Sequence, residues 1–167
     1  MPPFALRNIR YEDRDWIRRW MIFQWGAEIV IAHDQVFHPA DLAGFVATDL
    51  ETSEPIGLIT YHFIGDSCEI ITLDSMREGL GIGNALIEAA KEHAIKMDCK
   101  RLWLVTTNDN MNSLRFYQKR GFVLVKIDRG AVYRARQQKP EIPAKGFYGI
   151  PIHDEIELEL IIYPAED

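Results

Sequence analysis

Cysteine is scarce: Cys68 and Cys99 are the only two in the chain, with no metal-like spacing. Both are expected as reduced, structural thiols of a cytosolic protein. Long apolar runs are missing too. Nothing approaches the roughly 20 residues that cross a bilayer, and Met1–Arg7 has no apolar signal core, so no membrane partner and a cytoplasmic location are expected. His33, His38, His62, His93 and His153 make no ligand-like pairs with the cysteines, so no metal is expected. Positive charge is not in excess. The 19 Lys and Arg against 25 Asp and Glu give a net charge of −6, which argues against nucleic acid as a partner and is compatible with a cationic substrate. No repeat, low-complexity tract or long linker divides the 167 residues, whose 47% apolar content suits one domain, residues 1–167, with a sizeable core.

What is present reads as alternating strands and helices. Phe4–Tyr11 is a candidate first strand. Asp13 and Asp15 open a helix with Trp16, Ile17, Trp20 and Met21 on one face, ended by Gly26. Glu28–Ala32 is β-branched enough for a short strand. Phe45–Leu50 and Ile56–Ile64 flank the polar turn Glu51–Pro55, and Gly65-Asp66-Ser67 leads into Cys68–Leu73, so these three strands should pair antiparallel. Ile82, Ala85, Leu86, Ala89, His93 and Met97 then repeat at helical spacing. Arg101–Thr107 reads as a strand parallel to the one before this helix, since strand, crossover helix and strand make a β-α-β unit. Asn112–Arg120 is a short helix ended by Gly121, and Phe122–Ile127 a further strand. Asp128–Phe147 is irregular with a helical turn at Ala131–Gln137, and Glu155–Ile162 alternates as a half-buried strand with Ile156, Leu158, Leu160 and Ile162 on one face.

The run Glu78-Gly79-Leu80-Gly81-Ile82-Gly83-Asn84 carries the first chemical signal. Its alternate glycines remove Cβ atoms where a backbone must bend and present its N–H groups closely. A helix follows directly, so those amides lie at the positive end of its dipole, an arrangement that cradles phosphate. Glycine spacing by itself favours the plainer alternative, a turn into a packed helix. A dinucleotide fingerprint is excluded, because the position that should carry its third glycine holds Asn84 or Leu86. No lysine followed by Ser or Thr completes a P-loop.

A second motif shifts the balance: Asn110-Met111-Asn112-Ser113-Leu114-Arg115-Phe116-Tyr117-Gln118-Lys119-Arg120-Gly121-Phe122. Together the two motifs resemble those of the GNAT acetyltransferase superfamily, written Q/R-x-x-G-x-G/A and N-x-x-A-x-x-F-Y-x-x-x-G-F. The fit holds at Gly81, Gly83, Asn110, Phe116, Tyr117, Gly121 and Phe122. Glu78 stands where the family has Gln or Arg, beside Arg77, and Ser113 where it has a small Ala.

The resemblance implies an α/β fold with a mixed central sheet: antiparallel N-terminal strands, a parallel pair that splays apart, and flanking helices. The splay would place Thr72–Ser75 beside Thr106–Asn108. It implies acetyl-CoA as cosubstrate, its pyrophosphate on the amides of Glu78, Gly79, Leu80, Gly81, Ile82, Gly83 and Asn84. Its pantetheine arm would pair with Leu73, Asp74 and Ser75, and the N–H near Leu73 would meet the thioester oxygen. Asn110 would contact the cofactor or cap the helix after it. Tyr117 would be the general acid for the departing thiolate, a role that suits a phenol with a reference pKa of about 10. For the general base Glu69 comes first, then Asp109 and Asp74, with an ordered water relay as the alternative. Arg115, Lys119 and Arg120 meet the nucleotide end of the cofactor or form a solvated helix face. The implied activity is N-acetyl transfer to a small-molecule or peptide amine by direct attack in a ternary complex; a non-catalytic CoA-binding module is the alternative. The acceptor walls fall in the first helix, Glu28–Leu42 and Asp128–His153, with Arg129, Tyr133, Glu141, Tyr148 and His153 as candidates. Monomer and homodimer both stay open, because the alternating C-terminal strand offers an edge for pairing.

Overall fold

The computed structural model describes residues 2–162, which divide into two compact units. The first holds residues 2–15, 40–102 and 161–162, the second residues 16–39 and 103–160. Among the described residues no helix is long and apolar enough to cross a membrane.

In the first unit, strands β1 (Phe4–Asn8), β4 (Ala43–Asp49), β5 (Pro55–Ile64) and β6 (Ser67–Ser75) lie side by side in that order, each pair antiparallel. β1 stops three residues short of the expected Tyr11. There Asp13 accepts two hydrogen bonds from Arg7 at 2.7 and 2.8 Å and one from the Arg10 N–H at 2.7 Å, which closes a 3-10 turn at Tyr11–Asp13. The turn between β4 and β5 is organised by Asp49, whose carboxylate accepts the N–H groups of Glu51 and Thr52 and pairs with Arg77. Opposite Thr60, β6 takes up an extra residue at Ile71, a bulge that re-aims the strand just before Leu73.

Helix α2 (Ile82–Lys96) covers this sheet. Its buried stripe is Ile82, Leu86, Ile87, Ala90 and Ala94: it keeps Ile82 and Leu86 of the expected Ile82-Ala85-Leu86-Ala89-His93-Met97 face and is rotated from the rest. Met97 falls beyond the last turn and is exposed, and His93 sits at the core edge against Phe45, Tyr61 and Phe63. Asp98, in a left-handed conformation, ends the helix where glycine is commonest. Both cysteines are buried free thiols, and burial pushes that of Cys68 up to about 12.

The body of α1 (Arg14–Trp25) belongs to the second unit. Ile17 and Met21 are its sealed residues, while Trp16 and Trp20 are half-buried. Strand β2 (Val30–Ala32) is followed at once by β3 (Gln35–Phe37), which the sequence does not announce. His33 and Asp34 both take positive φ, the geometry of a two-residue hairpin turn. Strands β7 (Arg101–Thr107), β9 (Glu155–Ile161) and β8 (Val123–Asp128) are neighbours in that order, with β8 and β9 antiparallel. Helices α3 (Met111–Lys119) and α4 (Ala131–Gln138) flank β8 in sequence. In β9 Leu158 is sealed, as is Ile162 just beyond it, and Glu155 is buried with them, whereas Ile156 and Leu160 are only half-buried. β8 leaves Val123, Leu124, Val125 and Ile127 exposed.

Candidate functional site

In the first unit the glycine run does what its composition predicts. Gly79 and Gly81 adopt φ of 78° and 76°, the left-handed region where glycine carries no steric penalty. A Cβ on either would meet nothing within 4 Å, so the loop faces open space rather than the core. Gly81 is the N-cap of α2, no side chain caps the helix, and its first turn has no acidic residue. Residues 77–81 and Asn84 are exposed, Gly83 is half-buried, and Ile82 alone points inward. Uncapped amides at a positive helix end fit a diphosphate. Glu78 is exposed, and its neighbour Arg77 is committed to Asp49, which braces the loop against the β4–β5 turn. Behind the loop, Leu73 is half-buried opposite Ile59 and Asp74 is buried opposite Leu58. Ser75, opposite Gly57, is exposed and its hydroxyl donates to the Arg77 carbonyl at 2.8 Å. Glu69, opposite His62, is only 1% exposed.

In the second unit Asn110 is the N-cap of α3: its side-chain oxygen accepts the Ser113 N–H at 3.2 Å. Tyr117, 5% exposed, packs edge-on between Phe116 and Phe122 with ring centroids 5.2 Å from each. The turn at Gly121 thus wraps the helix end around the tyrosine, since the Arg120 and Phe122 N–H groups both donate to its carbonyl. Arg120 lies over the Phe116 ring and donates to the Phe116 carbonyl, while Arg115 and Lys119, four apart, stay exposed on one face.

The same unit forms an open-mouthed cavity of about 540 Å³. The C-terminal end of α1 and β2 supply Gln24, Trp25, Val30 and Ile31; the end of β7 and the segment after it supply Thr107, Asp109 and Asn110. The stretch between α4 and β9 supplies Lys139, Ile142, Pro143, Lys145, Gly146, Phe147 and Ile152. This stretch is ordered by long-range bonds that no local pattern shows. The Asn108 oxygen accepts the N–H groups of His153 and Asp154 at 3.0 Å, and Arg136 donates to the carbonyls of Ile142, Pro143 and Ile152. Lys145 and Pro151 pair across a tight loop whose tip is Phe147–Gly149. The expected wall residues Arg129, Tyr133, Glu141, Tyr148 and His153 are not the ones that line the cavity. Tyr148 instead donates its hydroxyl to Asn112 at 2.9 Å, and His153 turns to Asp154.

Of the three candidate bases, Asp109 is the one on the cavity wall. Its Oδ1 accepts the Thr107 hydroxyl at 2.5 Å and its Oδ2 the Phe147 N–H at 3.1 Å.

These elements have counterparts in known proteins. A profile of the Acetyltransferase (GNAT) family matches residues 9–122, which span both motifs. The uncharacterized protein YdhI of Bacillus subtilis (strain 168) is 45% identical over 138 residues, 83% of this chain and 86% of that protein. Among solved structures, an IAA acetyltransferase from Bacillus cereus ATCC 14579 superposes with a TM-score of 0.69 at 19% identity, over 95% of this chain and 99% of that one. A GNAT family acetyltransferase from Elizabethkingia anophelis with acetyl-CoA bound gives 0.66 at 18% identity, over 97% and 100%. The fold they share is a mixed sheet, mostly antiparallel, flanked by helices. The chain belongs to the GNAT family of acetyltransferases.

Proposed function

We propose that the chain is one N-acetyltransferase domain that moves an acetyl group from acetyl-CoA to a primary amine by direct attack. The observation that carries this reading is the start of α2, which no side chain caps, behind two left-handed glycines, an arrangement that suits an anion. When bound, the cosubstrate supplies its acetyl group as a thioester. The amides of residues 78–84 hold the diphosphate, and Leu73, Asp74 and Ser75 of β6 align the arm along the strand. The Leu73 N–H donates to the carbonyl oxygen as negative charge develops there. A carboxylate takes the proton that frees the amine's lone pair. Asp109, on the cavity wall, ranks first for this on geometry, with Glu69 and Asp74 acting only through water. As the C–N bond forms and the C–S bond breaks, Tyr117 gives its phenolic proton to the sulfur and regains one from the acceptor nitrogen. One net proton reaches solvent. The buried Cys68 and Cys99 take no part, in keeping with transfer without an acyl-enzyme.

Free thiol release from acetyl-CoA across a panel of amines tests the reading, with Tyr117→Phe as control. Amine-dependent release that the substitution abolishes supports it. Cofactor binding without turnover on any amine, and no effect of the substitution, refutes it.

A further inference from the structure

At about 540 Å³ the second unit's cavity falls in the range of small-molecule sites. Trp25, Val30, Ile31, Ile142, Pro143 and Phe147 make its walls mostly apolar. Charge enters at three points: Asp109, Lys139 and Lys145.

Asp109 is 3% exposed and fixed in place by the two hydrogen bonds from Thr107 and Phe147. Gly146 makes that position possible. A Cβ at Gly146 would stand 1.9 Å from the Asp109 Oδ2 and 2.8 Å from its Cγ, so the loop closes on the carboxylate only because that atom is missing. Lys139 is 5% exposed and donates one of its three N–H groups to the Ile29 carbonyl at 2.9 Å. Burial pulls its ammonium below the ordinary lysine value, against the pull of Glu141. Lys145 is exposed at the rim.

We propose that this cavity binds the acceptor, and that the acceptor is a monoamine on an uncharged apolar body, its ammonium held at Asp109. The proposal rests on the acetyl-transfer reading above. One carboxylate satisfies one ammonium. A second positive charge on the acceptor would face the buried Lys139 inside the cavity, where like charges repel in a low dielectric, or Lys145 at the rim. A hydroxyl-rich body would have only Gln24, Thr107 and Asn110 as uncharged side-chain partners and would set its remaining polar groups against Trp25, Ile31 and Ile142, which costs binding. An aliphatic or aromatic body buries its surface there. Gly146 and Thr107 are positioning residues that act through Asp109.

Steady-state kinetics at saturating acetyl-CoA, with calorimetric acetyl-CoA binding in parallel, test this. The probes are 2-phenylethylamine and isopentylamine against spermidine and glucosamine. The expected kcat/KM of both apolar monoamines exceeds that of spermidine and glucosamine by about tenfold or more. Asp109→Asn raises the KM for 2-phenylethylamine by roughly tenfold to a hundredfold, the loss of a charge-assisted bond, lowers kcat as well because the base is gone, and leaves acetyl-CoA affinity within about twofold. Gly146→Ala raises KM more than it lowers kcat. Lys145→Glu lowers the KM for spermidine several-fold. Should Asp109→Asn fail to fold, Ile142→Trp serves instead, raising KM for 2-phenylethylamine but much less for ethylamine. A preference for spermidine or glucosamine, an unchanged amine KM in Asp109→Asn, or acetyl-CoA binding with no turnover of any monoamine overturns the proposal. Absence of acetyl-CoA binding to the wild type would instead sink the underlying reading.

Discussion

Gly57, buried on β5 beneath the first turn of α2, tests whether that turn grips the cofactor. A Cβ added there would stand 2.5 Å from Ile82 Cγ2, and 3.2 Å from both Ala47 Cβ and Leu86 Cδ1. Carbon atoms in contact rest about 3.5–4.0 Å apart, so Ile82 must retreat by about 1 Å in Gly57→Ala. Ile82 is 1% exposed, and a β-branched residue in a helix has one strongly preferred χ1 rotamer. Its methyl group cannot swing aside cheaply, so the start of α2 moves with it. Overpacking of this kind costs about 1–3 kcal/mol. For a chain of this size each kcal/mol lowers Tm by about 2–4 °C. The displaced turn carries the amides of residues 82–84, and a shift of about 1 Å should weaken CoA binding roughly tenfold to a hundredfold. Calorimetric titration with CoA beside thermal melts reads both effects. Gly65→Ala is the control. Gly65 lies at φ 58° with nothing within 4 Å, in the turn at the far end of the β5–β6 hairpin. It should lose about 1–2 kcal/mol to backbone strain and nothing in CoA affinity. If Gly57→Ala melts lower yet binds CoA like the wild type, the start of α2 is not the grip.

Three further outcomes are expected. Tyr117→Phe should lower kcat by about 10²–10⁴-fold with little change in CoA affinity or Tm, and an unchanged kcat would remove Tyr117 from the proton path. Burial raises the Glu155 carboxyl above its ordinary 4.5, against the His33 N–H that donates to it at 2.9 Å. A carboxyl raised in the folded state favours folding below its ordinary value and loses that advantage as pH climbs through the raised one. Glu155→Gln keeps an oxygen for His33, so it should raise Tm at pH 7 and leave it nearly unchanged at pH 4; a lower Tm at pH 7 would refute the assignment. Cys68 is 0% exposed with its thiol pushed up to about 12, so an aromatic disulfide reagent should label it only as fast as the protein unfolds, and rapid labelling of the native protein would contradict that burial.

The sequence announced those parts of the molecule whose causes are local. Arg101–Thr107 is β7 end for end, because a short apolar run, Leu102–Val105, bounded by polar turns leaves little else to form. The glycine run and Asn110 sit where their residue types dictate, at a left-handed helix entry and at an N-cap. The stripe of α2 came out rotated, because spacing alone does not decide between Ala85–Ala89 and Ile87–Ala90 as the inward pair; the sheet beneath does. β3 was missed because three residues become a strand only by pairing with β2 across His33 and Asp34. The cavity wall was the least legible. Its stretch between α4 and β9 is held by the side chains of Asn108 and Arg136, tens of residues away or aimed at carbonyls, and Gly146 matters only because Asp109 arrives beside it. The nearness of Thr107 to Asp109 was visible in the sequence and was the one available sign that this carboxylate is positioned.

The most direct test of the cradle is a titration of ¹⁵N-labelled protein with CoA, followed amide by amide. The amides of Gly79, Gly81, Gly83 and Asn84 should show the largest shifts, and 3′-dephospho-CoA, which keeps the diphosphate, should move the same set. Shifts centred elsewhere while these four stay still would contradict the account.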